Sequence, residues 1–66
     1  MSEKEFFIEL VYSDDSCANF SVKVSGREHE IFALLQMITR GTLMASCASR
    51  ATCYRDDGFD VCSYVL

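Results

Sequence analysis

No run in this chain approaches the ~20 consecutive apolar residues that a membrane-spanning helix needs. Nor does the start look like a signal peptide: Met1 to Glu5 is acidic, and the run after it is short and alternating, without a basic beginning or an unbroken apolar core. The expectation is a cytoplasmic protein that makes no use of a membrane. In that compartment thiols stay reduced, so the even number of cysteines does not by itself imply disulfides.

Catalytic and ligand-binding motifs are also missing. There is no Gly-rich phosphate loop, no H-E-x-x-H and no nucleophile-elbow serine. Cys17, Cys47, Cys53 and Cys62 form no C-x-x-C pair, and a structural zinc site normally draws on closely paired ligands, so no metal and no cofactor is expected. His29 stands between Glu28 and Glu30. Neighbours on a helix point about 100° apart, which keeps the three from converging as a base and its orienter and leaves a solvated first-turn histidine. Asp14 with Asp15, and Asp56 with Asp57, are explained by turn chemistry, since a cation would need further oxygen ligands. No repeat, low-complexity segment or linker is present. These absences together point to a protein without catalytic activity.

Positive charge is scarce: six Lys and Arg against ten Asp and Glu give a net charge of -4. That argues against a binder of phosphate backbones, whose affinity comes from cations displacing counterions. The imbalance lies in the first half, where Lys4, Lys23 and Arg27 face Glu3, Glu5, Glu9, Asp14, Asp15, Glu28 and Glu30; Arg40, Arg50 and Arg55 balance Asp56, Asp57 and Asp60 in the remainder. An acidic half suits basic protein partners better than membranes or nucleic acid, the blander reading being a solvated surface.

What is present is apolar residue content, 50% of a chain of 66 residues. Such a chain makes one domain near the lower limit for folding without staples, and its surface-to-volume ratio leaves part of that apolar surface outside. Self-association is the natural outlet.

The central stretch runs from Ser25 to Arg40, with Ile31, Leu34, Leu35 and Ile38 on one helical face. Ser25 and Glu28 stand in capping-box register. The helix is expected over 27–49, with room for a kink at Gly41, because an isolated glycine costs a helix only ~1 kcal/mol relative to alanine. Its continuation places Thr42, Ala45, Ser46 and Ser49 on the Ile31 stripe. A second stripe of Ala33, Met37, Met44 and Ala48, flanked by Phe32 and Leu43, then faces a partner. In the alternative, Gly41 breaks the helix, Thr42 caps a shorter one, and Leu43, Met44 and Cys47 turn inward.

Before the helix, 5–12 and 19–24 alternate as strands of a hairpin, with Phe6, Ile8 and Leu10, then Phe20, Val22 and Val24, facing the core. After it, 51–65 reads as a second hairpin around Asp57-Gly58, a strong turn signal. A two-residue loop would set Arg55 opposite Asp60 and Cys53 opposite Cys62. A three-residue loop with Gly58 left-handed would set Cys53 opposite Val61. The first gains a cross-strand ion pair and is the expected register. The fold class is therefore α+β, ββαββ, an antiparallel four-stranded sheet with one long helix packed on one face.

Candidate interaction residues follow from what this arrangement leaves outside: Met37 and Met44 on the far side of the helix, and Phe7, Val11 and Tyr64, with Tyr54 beside them, on the open sheet face. Methionine and aromatic residues are enriched at interfaces. The resulting expectation is a protein-interaction module, most simply a homodimer. Two alternatives belong to other classes. One is a nucleic-acid-associated regulator using Arg40, Arg50 and Arg55 as a local patch, and the other a thiol-based redox or metal sensor drawing on Cys53 and Cys62.

Two runs, Ile38 to Ser46 (I-T-R-G-T-L-M-A-S) and Tyr54 to Val61 (Y-R-D-D-G-F-D-V), resemble small uncharacterised proteins encoded on conjugative transposons of gut bacteria. The resemblance implies a bacterial cytoplasmic setting and an accessory role in a mobile element. It implies no site residue.

Overall fold

A computed structural model describes residues 3–66 of the chain. Strand β1 (Lys4–Val11) and strand β2 (Cys17–Val24) form a hairpin, helix α1 (Glu28–Ser46) follows, and β3 (Arg50–Arg55) with β4 (Asp60–Val65) forms a second hairpin. The strands join in one antiparallel sheet of order β2-β1-β3-β4. This is the expected ββαββ arrangement. The helix rises about 28 Å at ~1.5 Å per residue.

Several boundaries differ from the sequence reading by one to three residues, three of them for a local reason. Strand β2 starts at Cys17 rather than at Asn19, because Val11 pairs with Cys17 and Leu10 with Ala18, so the ladder runs up to a tight turn. Asp14 holds that turn by accepting from the Ser16 N–H at 3.1 Å and the Ser16 hydroxyl at 2.6 Å. At the start of the helix, Gly26 at φ 136° swings the chain and makes Arg27 the N-cap. The Arg27 N–H donates to Glu30 Oε1 at 3.2 Å, so Glu30 takes the reciprocal role expected of Glu28, and Ser25 lies outside the helix. The helix ends at Ser46 rather than near Ser49, because Cys47 adopts the left-handed conformation at φ 61°. Ser49 is then free to dock, its N–H donating to Val11 O at 2.8 Å and its carbonyl accepting from Leu66 at 3.0 Å.

Gly41 lies inside the helix, which runs through it without a break. The buried row is Ile31, Leu35, Thr39 and Leu43. Steps of four advance ~40° around a helix, so the row drifts along its length. Leu34, expected in the core, is 42% exposed as a result, and Leu43, expected on the flank of the outer stripe, is buried. The row packs on Phe6, Ile8 and Leu10 of β1 and on Ala51 and Cys53 of β3.

The second hairpin combines both expected registers. Gly58 donates to Arg55 O at 2.9 Å and Arg55 to Phe59 O at 2.9 Å, which closes a three-residue loop with Gly58 at φ 87°. A bulge follows between Cys53 and Tyr54, where Tyr54 pairs with Asp60 and Cys53 with Cys62. The bulge absorbs the extra loop residue, so Cys53 faces Cys62 despite the longer loop. The expected Arg55–Asp60 pair is replaced by Arg55 and Asp57, at 2.8 Å.

Candidate interaction surfaces and a buried thiol pair

Helix α1 packs most closely on β3 and β4, with β2 at the far edge of the sheet. The inner side of β2 is consequently bare over much of its length. Ala18 and Phe20 are exposed and Val22 is partly covered; Val24 is buried. Phe20 and Val22 are thus apolar residues that alternation in the sequence assigned to the core and that the helix leaves uncovered or partly covered. Periodicity reports which residues share a face, whereas coverage depends on where the helix sits across the sheet.

Met37 and Met44 are 72% and 67% exposed on the outer side of the helix. On the open sheet face Phe7 stacks on Tyr54 with ring centroids 5.9 Å apart, Thr52 and Ser63 bring their hydroxyls to 3.2 Å, and Val11 is partly covered. Tyr64 is elsewhere. It pairs with the fully buried Ala51 and packs against the core beneath the Arg40 guanidinium, 5.4 Å from its ring centroid. Its expected place on the open face is thus corrected, because residues opposite each other in the ladder share a face and Ala51 points inward.

The three arginines considered as a patch are not brought together. Arg50 and Arg55 sit at opposite ends of β3, and Arg40 is on the helix over Tyr64. Arg55 is further engaged by Asp57 and by the Phe59 ring, 4.5 Å from its guanidinium. Asp57 accepts from the Phe59 N–H and from Arg55, and those bonds hold its carboxyl below the ordinary carboxylate range. Asp14 is lowered in the same way by its bonds from Ser16.

A cleft of about 260 Å³ opens where the second hairpin meets the start of the helix. Phe6, Ile31 and Leu35 form its base, Phe32 and Phe59 its walls, and Lys4, Glu28 and Arg55 its rim. The sequence reading did not include it, since it depends on where the second hairpin brings Phe59 relative to the start of the helix. Its volume is just under the usual ~300–1,000 Å³ range of small-molecule pockets.

Cys53 and Cys62 stand opposite each other on the inner face, Cys53 fully buried and Cys62 partly so. The Cys62 thiol donates to Thr39 Oγ1 at 3.8 Å, and the Thr39 hydroxyl donates in turn to Leu35 O at 2.6 Å. Burial, then the neighbouring Cys62 sulfur, pushes the Cys53 thiol up to about 11. Cys17 and Cys47 are exposed. Among the described residues no group of three His, Cys, Asp or Glu side chains is placed to hold a metal ion, and no helix is long and apolar enough to cross a membrane. The chain matches no protein-family model, and its comparison with curated proteins and with solved structures likewise gives no match.

Proposed function

We propose that this chain is a non-catalytic protein-interaction module that associates with itself as a homodimer, in the bacterial cytoplasm and as an accessory protein of a mobile element. The observation that carries the self-association is the bare inner side of β2, where Phe20 is 37% exposed beside a free sheet edge. An edge strand offers a row of unpaired N–H and C=O groups to another strand. Over Cys17–Val24 the edge is eight residues long and carries a single charge, Lys23.

The strand is its own complement. In an antiparallel pairing of two copies centred on Ser21, Phe20 of one lies opposite Val22 of the other and Lys23 opposite Asn19, so apolar side chains meet on the helix-bearing face without a like-charge clash. Phe20 of both copies is then covered. The setting in a mobile element rests on the resemblance of the Ile38–Ser46 and Tyr54–Val61 runs alone.

Size-exclusion chromatography with light scattering at micromolar concentration tests the reading. A dimer that Phe20→Glu converts to a folded monomer is the expected result. Dissociation by Met44→Glu or Phe7→Glu in place of Phe20→Glu would move the interface to the outer helix or the open face, and a strict monomer across the concentration range would overturn self-association.

A further inference from the structure

We propose that Cys53 and Cys62 are a site of reversible oxidation, closing a cross-strand disulfide within one chain when a low-molecular-weight disulfide is the oxidant. Their positions supply the geometry. Paired residues of an antiparallel ladder have Cα atoms about 4.5–5.5 Å apart, inside the ~4.4–6.8 Å span that a disulfide bridges. Both side chains point to the helix side of the sheet, where Cys62 also reaches Thr39. Neither exposed cysteine has such a partner: Cys17 lies opposite Val11, and Cys47 caps the helix.

The difference in burial assigns the order of events. Cys62 is partly exposed on the edge strand β4, so its thiolate attacks the small disulfide, forming a mixed disulfide and releasing one small thiolate. Cys53, enclosed behind it, then gives up its proton and attacks the Cys62 sulfur, expelling the second small thiolate. Two protein thiols are oxidised to one disulfide, the oxidant is reduced to two thiols, and the two protons lost by the cysteines end on them. Burial of Cys53 slows the second step but also keeps competing thiols away from it. The site spans β3 and β4, separated by β1 from the proposed β2 interface, so either proposal can fail without the other.

Trypsin provides a direct readout, because Arg50 and Arg55 bracket Cys53 and no Lys or Arg follows Arg55. The folded chain is incubated with oxidised glutathione, its remaining thiols are alkylated, and the digest is analysed by mass spectrometry without reductant. The expected result is a joined species of peptides 51–55 and 56–66 that separates on reduction, in the wild type and in Cys17→Ser/Cys47→Ser alike. Cys62→Ser in that background should abolish it while circular dichroism shows the fold retained. A glutathione adduct persisting at Cys62, both peptides recovered with alkylated thiols, or linkage confined to Cys17 and Cys47 would each overturn the proposal.

Discussion

Cys53 and Cys62 face each other because two irregularities cancel: the loop between their strands has one residue more than the tightest hairpin, and the bulge beside Tyr54 takes that residue up. The left-handed conformation of Gly58 is what permits the loop.

Gly58→Ala should therefore destabilise the chain by about 1 kcal/mol through the left-handed backbone alone, since space around the added methyl group is open. Chemical denaturation followed by circular dichroism measures it. An unchanged midpoint would mean that the loop does not hold this conformation in solution.

Two positions offer gains. Gly41 lies mid-helix with nothing within 4 Å of an added Cβ, so Gly41→Ala should stabilise by about 1 kcal/mol. Cys47 holds a left-handed cap that glycine adopts without strain, and Cys47→Gly should add about 0.5–1 kcal/mol. A loss of stability in Gly41→Ala would show that the helix bends there in solution.

Position along the helix separates core from surface. Leu35→Ala removes a side chain that is 1% exposed and should cost about 2–5 kcal/mol. Met37→Ala, on the outer side, should stay within about 0.5 kcal/mol in the same denaturation experiment. Comparable losses from both would contradict the orientation of the helix.

Alkaline pH should weaken the reduced protein through Cys53. Its thiol ionises less readily folded than unfolded, so the stability it contributes is complete below pH 9.0 and is lost as pH rises towards about 11. A rise of two units corresponds to roughly 2–3 kcal/mol. Denaturation midpoints at pH 8 and 10.5, with reductant present, should fall more steeply in the wild type than in Cys53→Ala. Parallel declines would remove Cys53 as the cause.

Asp57 and Asp14 act at the other end of the scale. Their carboxyls are held below the ordinary value of 3.8, so what they contribute is present above it and is lost as pH falls further. Asp57→Asn should flatten the acid limb of the stability profile, as measured by melting between pH 5 and 2. An unaltered limb would show that the Phe59 and Arg55 bonds do not persist in solution.

Alternation made the inner faces of β1 and β2 legible in the sequence, and the i, i+3, i+4 pattern revealed the helix. Its details were hidden by tertiary effects. Leu34 and Leu35 are chemically alike, yet the drift of the buried row exposes one and encloses the other. Phe20 matches Phe6 in pattern, but the helix covers only one of them. Ser25 made a plausible cap until Gly26 redirected the chain, and no propensity marks Cys47 as left-handed. Arg55 had acidic residues at several spacings, and the choice of Asp57 over Asp60 followed from a loop whose length the Asp-Gly signal leaves open. Met37 and Met44 stand where the long-helix reading put them, whereas Tyr64 required the parity of the ladder to be carried across β3.

The order of the strands also shapes how the chain comes together. Each hairpin is local, while the ladder from Phe6–Arg55 to Val11–Arg50 forms only when the whole segment from Tyr12 to Ser49 has folded back. Closing that long loop carries an entropic toll that neither hairpin bears, which makes the β1–β3 seam the least local contact of the sheet.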